Sequence, residues 1–155
     1  MTCYFLDSSA LVKRYVHEVG SEWTRQLMDP TTGHAILVSE VSRVEVAAAV
    51  AAKHRAAQGI SQRQRNAAVA LLLHHCGAEY QLVAITAAVL DRAVTLTQNH
   101  RLRGYDAIQS SSALIANSAV VAQGQAGLIF VSADADLVAA ATAEGLAADN
   151  PLAHA

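Results

Sequence analysis

Near its start the chain reads Cys3-Tyr4-Phe5-Leu6-Asp7-Ser8-Ser9-Ala10. The apolar run ends abruptly at Asp7, two hydroxyl side chains follow, and apolar residues then recur at helical spacing from Leu11 onward. This pattern predicts a buried strand that leads directly into a helix. In an open parallel sheet such a junction lies at the carboxyl edge, where ligands bind.

Similar short apolar runs alternate with helical patterns along the rest of the chain. We expect strands at about 3–6, 35–38, 80–85 and 128–131, with a weaker fifth at 145–148. We expect helices at about 8–17, 21–29, 42–58, 61–76, 86–99, 105–122 and 134–144. This alternation predicts an α/β fold around a mostly parallel sheet of four to five strands. With no repeat or linker visible, we expect a single domain over residues 1–155.

Several helix ends have clear local signals. Ser61 and Thr86 are suitable N-caps for the fourth and fifth helices. The third helix begins after Ser39 or Ser42, and Gly59 suits the position beyond its end. Gly77 is expected to close the fourth helix in the same way.

Composition excludes several classes of protein. The 155 residues are 53% hydrophobic and 15% charged, which favours a globular chain over a disordered one. A net charge of −2 argues against a broad basic surface, so any nucleic-acid contact must use a local patch. Two cysteines provide neither a disulfide framework nor a zinc cluster, and with no signal peptide visible we expect a cytoplasmic protein.

One long stretch without charged residues needs a separate explanation. Residues 107–133 contain no Asp, Glu, Lys or Arg, yet they include three glutamines, three consecutive serines and two glycines. A membrane-spanning helix needs about 20 predominantly apolar residues, and this stretch is too polar for one. We therefore expect a buried helix, a turn and a buried strand.

Four carboxylates lie in or beside apolar stretches: Asp7, Glu45, Asp106 and Asp134. Each has an ordinary structural explanation. Asp7 suits an N-cap, and Glu45 completes a capping box if the helix starts at Ser42. The other two suit the positive end of a helix dipole, and we expect the neighbouring Asp136 to be partly exposed and secondary.

Their combined placement suggests a common site. Asp7 and Asp134 each follow a predicted strand, so they belong to the same edge of a parallel sheet, and Asp106 begins a helix that starts at that edge. Two carboxylates 4 Å apart repel by roughly 4 kcal/mol at an effective dielectric of 20, which requires a cation or raised pKa values. Oxygen ligands without His or Cys favour Mg²⁺ or Mn²⁺.

The same residues lie in segments that resemble the motifs of one family. The segments are Leu6–Lys13, Ser42–Glu45, Leu102–Gln109 and Phe130–Asp134, followed by Leu137, Glu144–Leu146 and Asn150–Pro151. In order and spacing, over nearly the whole chain, they resemble a PIN-domain ribonuclease, and specifically a VapC-type toxin of a toxin–antitoxin pair.

The resemblance implies a fold, an activity and partners. It implies a three-layer α/β/α sandwich, a homodimer, a small cognate antitoxin and an RNA substrate, with no membrane association. It makes Asp7, Glu45, Asp106 and Asp134 the catalytic, metal-binding acids of a Mg²⁺- or Mn²⁺-dependent endoribonuclease. Ser8 and Ser132 would support the site by hydrogen bonding.

Basic residues are candidates for contact with RNA. Arg101 and Arg103 lie close to Asp106 in sequence and could guide RNA to the site, although an ordinary charged loop explains them equally well. Lys53 and Arg55 belong to a basic region that could clamp phosphates, and a solvated helix face is the simpler explanation.

Two other functions remain as alternatives. A phosphoacceptor receiver domain also gathers acids at a sheet edge, but it needs an acidic pair after the first strand and a lysine after a late strand. Here only Asp7 follows the first strand, and no lysine occurs after Lys53. A catalytically silent PIN-like binding module would not require all four acids.

Overall fold

The computed structural model describes residues 1–155 and contains one five-stranded, entirely parallel sheet. Its strands are β1 (Cys3–Leu6), β2 (Ala35–Ser39), β3 (Gln81–Val83), β4 (Ile129–Val131) and β5 (Ala147–Asp149). They lie in the order β3-β2-β1-β4-β5, and Phe5 of β1 is paired with Leu37 on one side and Phe130 on the other. The predicted parallel sheet is confirmed, including its weak last strand.

Seven α-helices connect and cover the strands. They are α1 (Ser8–Leu11), α2 (Ser21–Leu27), α3 (Ser42–Arg55), α4 (Gln62–Ala78), α5 (Ala87–Asn99), α6 (Gly104–Ala122) and α7 (Ala135–Ala143). Short 3₁₀ turns occupy Val12–Arg14, Pro30–Thr32 and Pro151–His154. None of these helices combines the length and the apolar character that crossing a membrane would require.

Alternating strand residues divide the core into two layers. Leu6, Val38 and Val131 pack on the face covered by α1 to α4. Phe5 and Phe130 point to the opposite face, which α5, α6 and α7 cover, and their rings stack with centroids 5.9 Å apart. This two-residue alternation is the expected consequence of strand geometry, and it produces the α/β/α sandwich that the resemblance implied.

The charge-free stretch forms the buried elements expected of it. Eight residues of α6 are buried, among them the three consecutive serines, and the following β4 is largely buried. These buried parts carry no charge because an unpaired charge is costly inside the protein, whereas residues 121–127 between them are exposed.

Some predicted helix ends are wrong. The first helix stops at Leu11 and continues only as a 3₁₀ turn, in which the buried Lys13 ammonium binds the Glu18 carboxylate at 2.8 Å. Residue 41, a valine, takes the N-cap position of α3 and makes no side-chain cap, so neither Ser39 nor Ser42 caps that helix. The predicted caps Ser61 and Thr86 are confirmed.

The ends of the third and fourth helices differ from the prediction. Helix α3 ends at Arg55, and Gln58 rather than Gly59 takes the left-handed conformation, with φ of 57°. Gly77 lies within α4, which continues to Ala78. Glycine is favoured but not required at a left-handed position. The positions of these two glycines therefore predicted the two helix ends incorrectly.

The strand order creates a switch point between β1 and β4. Connections from β1 proceed towards β2 and β3, whereas β4 and β5 lie on the other side. The Asp7 backbone N–H still donates to the Val131 carbonyl at 3.0 Å, so the ends of the two central strands remain joined. A crevice beyond the carboxyl ends of strands at a switch point is where open α/β sheets bind ligands.

Candidate active site

Asp7 lies at the carboxyl end of β1, on the switch point, and its side chain is 4% exposed. Its Oδ1 accepts hydrogen bonds from the Ser9 hydroxyl at 2.7 Å and from the Ala10 backbone N–H at 3.0 Å, which makes it the N-cap of α1. Its Oδ2 accepts from the Ser132 hydroxyl at 2.7 Å. Burial raises the pKa of Asp7 to about 6, against these hydrogen bonds, and the charge of Asp106 adds to the rise.

Two serines join the ends of β1 and β4 around this carboxylate. Besides donating to Asp7, the Ser132 oxygen accepts from the Asp134 backbone N–H at 3.1 Å. The Ser9 oxygen accepts from the Ala133 backbone N–H at 2.9 Å. The structure places the Ser132 hydroxyl beside the Asp7 carboxylate. It also places Ser9 there, a residue that the sequence analysis missed although it follows Asp7 by only two residues.

Glu45 lies in the first turn of α3 and is partly buried. Its Oε1 accepts from the Ser8 hydroxyl at 2.9 Å and from the Gln109 side-chain amide at 2.8 Å. The capping-box explanation for Glu45 is therefore wrong, because its carboxylate contacts other segments of the chain and not the start of its own helix. Sequence reasoning also missed Gln109, whose only signal was a polar residue one turn beyond Asp106.

The pKa of Asp106 is affected by the charges of two of the other acids. It lies in the first turn of α6, and burial raises the pKa of its carboxyl. The charges of Asp134 and Glu45 raise this pKa further, while the backbone and guanidinium of Arg103 oppose the shift. Asp106 therefore lies within electrostatic range of Asp7, Glu45 and Asp134, which come from three other segments of the chain.

Asp134 is exposed and has a structural role as well. It is the N-cap of α7, where its Oδ1 accepts from the backbone N–H groups of Asp136 at 2.9 Å and Leu137 at 3.3 Å. Its side chain still lines the same cleft as Asp106. Asp134 can therefore cap a helix and belong to an acidic site at the same time, as Asp7 can.

The predicted basic residues fall into two places. Arg101 and Arg103 are exposed and line a cleft of about 960 Å³ together with Asp106, Asp134 and Asp136. The other pair, Lys53 and Arg55, occupies the last turn of α3. At 1.5 Å per helical residue these two lie roughly 12–15 Å along the helix from Glu45. The structure brings the first pair, and not the second, to the acids.

The model of one family, described as the PIN domain, matches residues 4–143. The chain belongs to the PIN domain family. No curated protein matches the chain.

Solved structures with the same fold cover this PIN domain almost completely. One is a toxin–antitoxin complex from Klebsiella pneumoniae, 17% identical with a TM-score of 0.60, covering 96% of this chain and 97% of that one. Another is VapBC2 from Rickettsia felis bound to a DNA fragment from its promoter, 12% identical with a TM-score of 0.59 and coverages of 96% and 98%. A third is FitAB bound to an IR36 DNA fragment, 11% identical with a TM-score of 0.65 and coverages of 96% and 95%.

The donor set of this PIN domain is compatible with a hard divalent cation. No three His, Cys, Asp or Glu side chains lie close enough together to bind one ion directly. Mg²⁺ does not require them, because it keeps several waters and is often bound by one or two carboxylates. The acids have only oxygen donors, and two of them have pKa values raised by burial and, to a smaller extent, by neighbouring negative charge, which a cation would offset.

Proposed function

We propose that this PIN domain is a metal-dependent endoribonuclease that acts as the toxin of a toxin–antitoxin pair. The observation that carries the proposal is the placement of the buried Asp7 carboxylate at the switch point of the sheet, beside a cleft that Asp106 and Asp134 line. Burying a carboxylate among other carboxylates destabilises the fold, so the arrangement favours a chemical role over a structural one.

The proposed ion is Mg²⁺ or Mn²⁺, held by Asp7, Glu45, Asp106 and Asp134, at most two of them directly and the others through water. When bound, such an ion lowers the pKa of a coordinated water and stabilises the leaving oxygen of a phosphodiester. The exposed Arg101 and Arg103 side chains would attract the phosphate backbone of RNA to an otherwise acidic cleft.

Asp7 and Asp106 are the candidates for handling the proton of the attacking water. A carboxylate beside the ion could orient this water or accept its proton, and the ion would lower the pKa of Asp7 below its metal-free value of about 6. The Ser9 and Ser132 hydroxyls hold the Asp7 carboxylate in one orientation, which keeps its oxygens fixed during the reaction.

The proposed partners follow from the structural neighbours and from the resemblance. Neighbours of the same fold are toxin–antitoxin complexes, which supports a small cognate antitoxin as the inhibitor of this protein. We further propose a homodimer that acts in the cytoplasm. The buried, unpaired thiols of Cys3 and Cys76 are compatible with a reducing compartment.

Cleavage of RNA by the purified protein tests the activity. We expect cutting with Mg²⁺ or Mn²⁺, none with excess EDTA, and at least a hundredfold loss in Asp7→Asn. Asp91→Asn is the matched control, because Asp91 is an exposed acid on α5.

Undiminished cutting by Asp7→Asn, or by the wild type in EDTA, would exclude this mechanism. A wild type that binds the antitoxin but cuts no RNA under any metal condition would instead support a catalytically silent binding module.

A further inference from the structure

Gln109 connects three segments of the candidate site. It lies one turn beyond Asp106 on α6, and its side chain is 2% exposed. Its amide nitrogen is within hydrogen-bond distance of three oxygens: Glu45 Oε1 at 2.8 Å, Ser8 Oγ at 3.0 Å and Ser42 Oγ at 3.0 Å. One buried side chain therefore joins α1, α3 and α6 beside the acids.

The other end of the Gln109 amide has no partner. Its Oε1 is buried and accepts no hydrogen bond. Turning the amide over would place that oxygen against the Glu45 carboxylate, so the surrounding acceptors determine its orientation. A buried carbonyl without a donor destabilises a fold, whereas an apolar side chain of the same shape would not carry this cost. The donor end of the amide, and not its carbonyl, is therefore the part of Gln109 that the surrounding residues use.

Only one of the two carboxylate oxygens of Glu45 accepts hydrogen bonds from the protein. Both the Ser8 hydroxyl and the Gln109 amide donate to Oε1, and no protein group donates to Oε2. Two donors on one oxygen fix the rotation of the carboxylate and leave the second oxygen available to a cation. Groups that orient a metal-binding carboxylate in this way are a regular part of metal sites.

We propose that Gln109 is a positioning residue, which holds Glu45 so that Oε2 is presented to the divalent cation. The inference rests on the proposed metal-dependent function. It assigns to the Gln109 side chain a role in metal affinity that is separate from any role in folding.

The test uses Gln109→Met, which keeps the length of the side chain and removes both polar groups. We expect a modest fall in its melting temperature, because loss of the unpartnered carbonyl offsets only part of the loss of the amide contacts to Glu45, Ser8 and Ser42. Calorimetric titration should show affinity for Mn²⁺ weakened about tenfold or more, with a similar loss in RNA cleavage.

A double-mutant cycle separates positioning from a general effect. If Gln109 acts through Glu45, Gln109→Met should weaken Mn²⁺ binding in the wild type and change it less than twofold in Glu45→Gln. Ser112→Ala is the matched control, because Ser112 is a buried α6 residue whose hydroxyl also has no partner. We expect the control to bind Mn²⁺ as the wild type does.

Two results would overturn the inference while leaving the proposed function intact. One is wild-type Mn²⁺ affinity in Gln109→Met, and the other is an equal loss on both backgrounds. A wild type that binds no Mn²⁺ and cuts no RNA would overturn the proposed function itself, and this inference with it.

Discussion

At the scale of single residues, one side chain can have two roles. Asp7 caps α1 through Oδ1 and faces the charge of Asp106. Asp134 caps α7 and lines the cleft. An N-cap aspartate stabilises a helix by about 1 kcal/mol, which compensates only part of the cost of burying a charge. The N-cap explanation of the buried Asp7 is therefore correct and incomplete.

The pH dependence of stability should identify Asp7. Its pKa rises from an ordinary 3.8 to about 6 in the folded state. Between these values the unfolded chain loses the proton while the folded protein retains it, so stability falls as pH rises through this window, by roughly 3 kcal/mol. In EDTA, we expect Asp7→Asn to be more stable than the wild type above pH 6, with the difference shrinking towards pH 4.

Urea unfolding at several pH values measures this effect. Asp91→Asn provides the comparison, since it removes an exposed charge on α5 and should leave the pH profile of the wild type unchanged. Parallel profiles for wild type and Asp7→Asn would mean that Asp7 is ionised in the folded state as readily as in water.

The position of the basic residues predicts unequal effects on RNA binding. Arg101→Ala and Arg103→Ala should each weaken binding of a short single-stranded RNA several-fold and lower the salt dependence by about 0.7 per lost phosphate contact. Lys53→Ala removes the same charge at a point roughly 12 Å along α3 from Glu45, so its effect should be smaller. Fluorescence anisotropy at several salt concentrations, in the Asp7→Asn background, makes the comparison. Equal losses in all three would assign the effect to net charge alone.

At the scale of elements, the turn between α3 and α4 shows how local signals can mislead. Glycine at position 59 suggested a left-handed helix end, yet Gln58 has the positive φ. Gly59 is required for a different reason. A Cβ on this residue would lie 1.9 Å from the Lys53 carbonyl oxygen, because the chain folds back onto the end of α3.

Substitution of Gly59, which precedes α4, and of Gly77, which lies within it, should have different effects on stability. Gly59→Ala should destabilise the protein by about 2 kcal/mol or more, since the clash is with backbone and forces the turn to move. Gly77→Ala should be neutral or stabilise by up to about 1 kcal/mol, because Gly77 lies within α4 and an added Cβ meets nothing within 4 Å. Urea unfolding measures both, and a neutral Gly59→Ala would show that the turn adapts freely.

At the scale of the whole molecule, the candidate site depends on long-range contacts. Asp7 and Ser132 are 125 residues apart in sequence, and Gln109 is 64 residues from Glu45. The acids meet because the central strands β1 and β4 are neighbours and because α3 and α6 begin near their carboxyl ends. Folding thus creates a concentration of negative charge that no unfolded segment has.

A divalent cation should therefore stabilise the folded protein specifically. At a free Mg²⁺ concentration about tenfold above the dissociation constant, the expected gain is roughly 1.4 kcal/mol. Differential scanning fluorimetry with MgCl₂ against NaCl of equal ionic strength detects it as a rise in melting temperature. The rise should be lost in Asp106→Asn, because Asp106 is coupled to the other acids. An equal rise with NaCl would indicate general screening instead.

Local sequence patterns were enough to predict the parallel α/β fold and the order of its elements along the chain. Residue type at the helix starts was enough to predict the two caps Ser61 and Thr86. Strand and helix patterns depend on neighbouring residues, so one sequence carries them directly. The acids could be nominated for the same reason, since an isolated carboxylate in an apolar stretch is visible without a structure. Helix ends at Leu11 and Arg55 were predicted less well, because packing with distant segments decides them.

Only the tertiary structure decided which polar side chains meet. Gln109 has no sequence signal for its contact with Glu45, because that contact depends on the directions of side chains from two different layers. The contact of Ser9 with Asp7 is local, and the sequence did not show the second contact of Ser9, with the Ala133 backbone. Proximity to Asp106 in sequence already favoured Arg101 over Lys53 as a candidate for RNA contact, but it could not give their distances from the other acids. Their different distances from the acids follow from where α3 ends and where α6 begins, and only the folded chain fixes both positions.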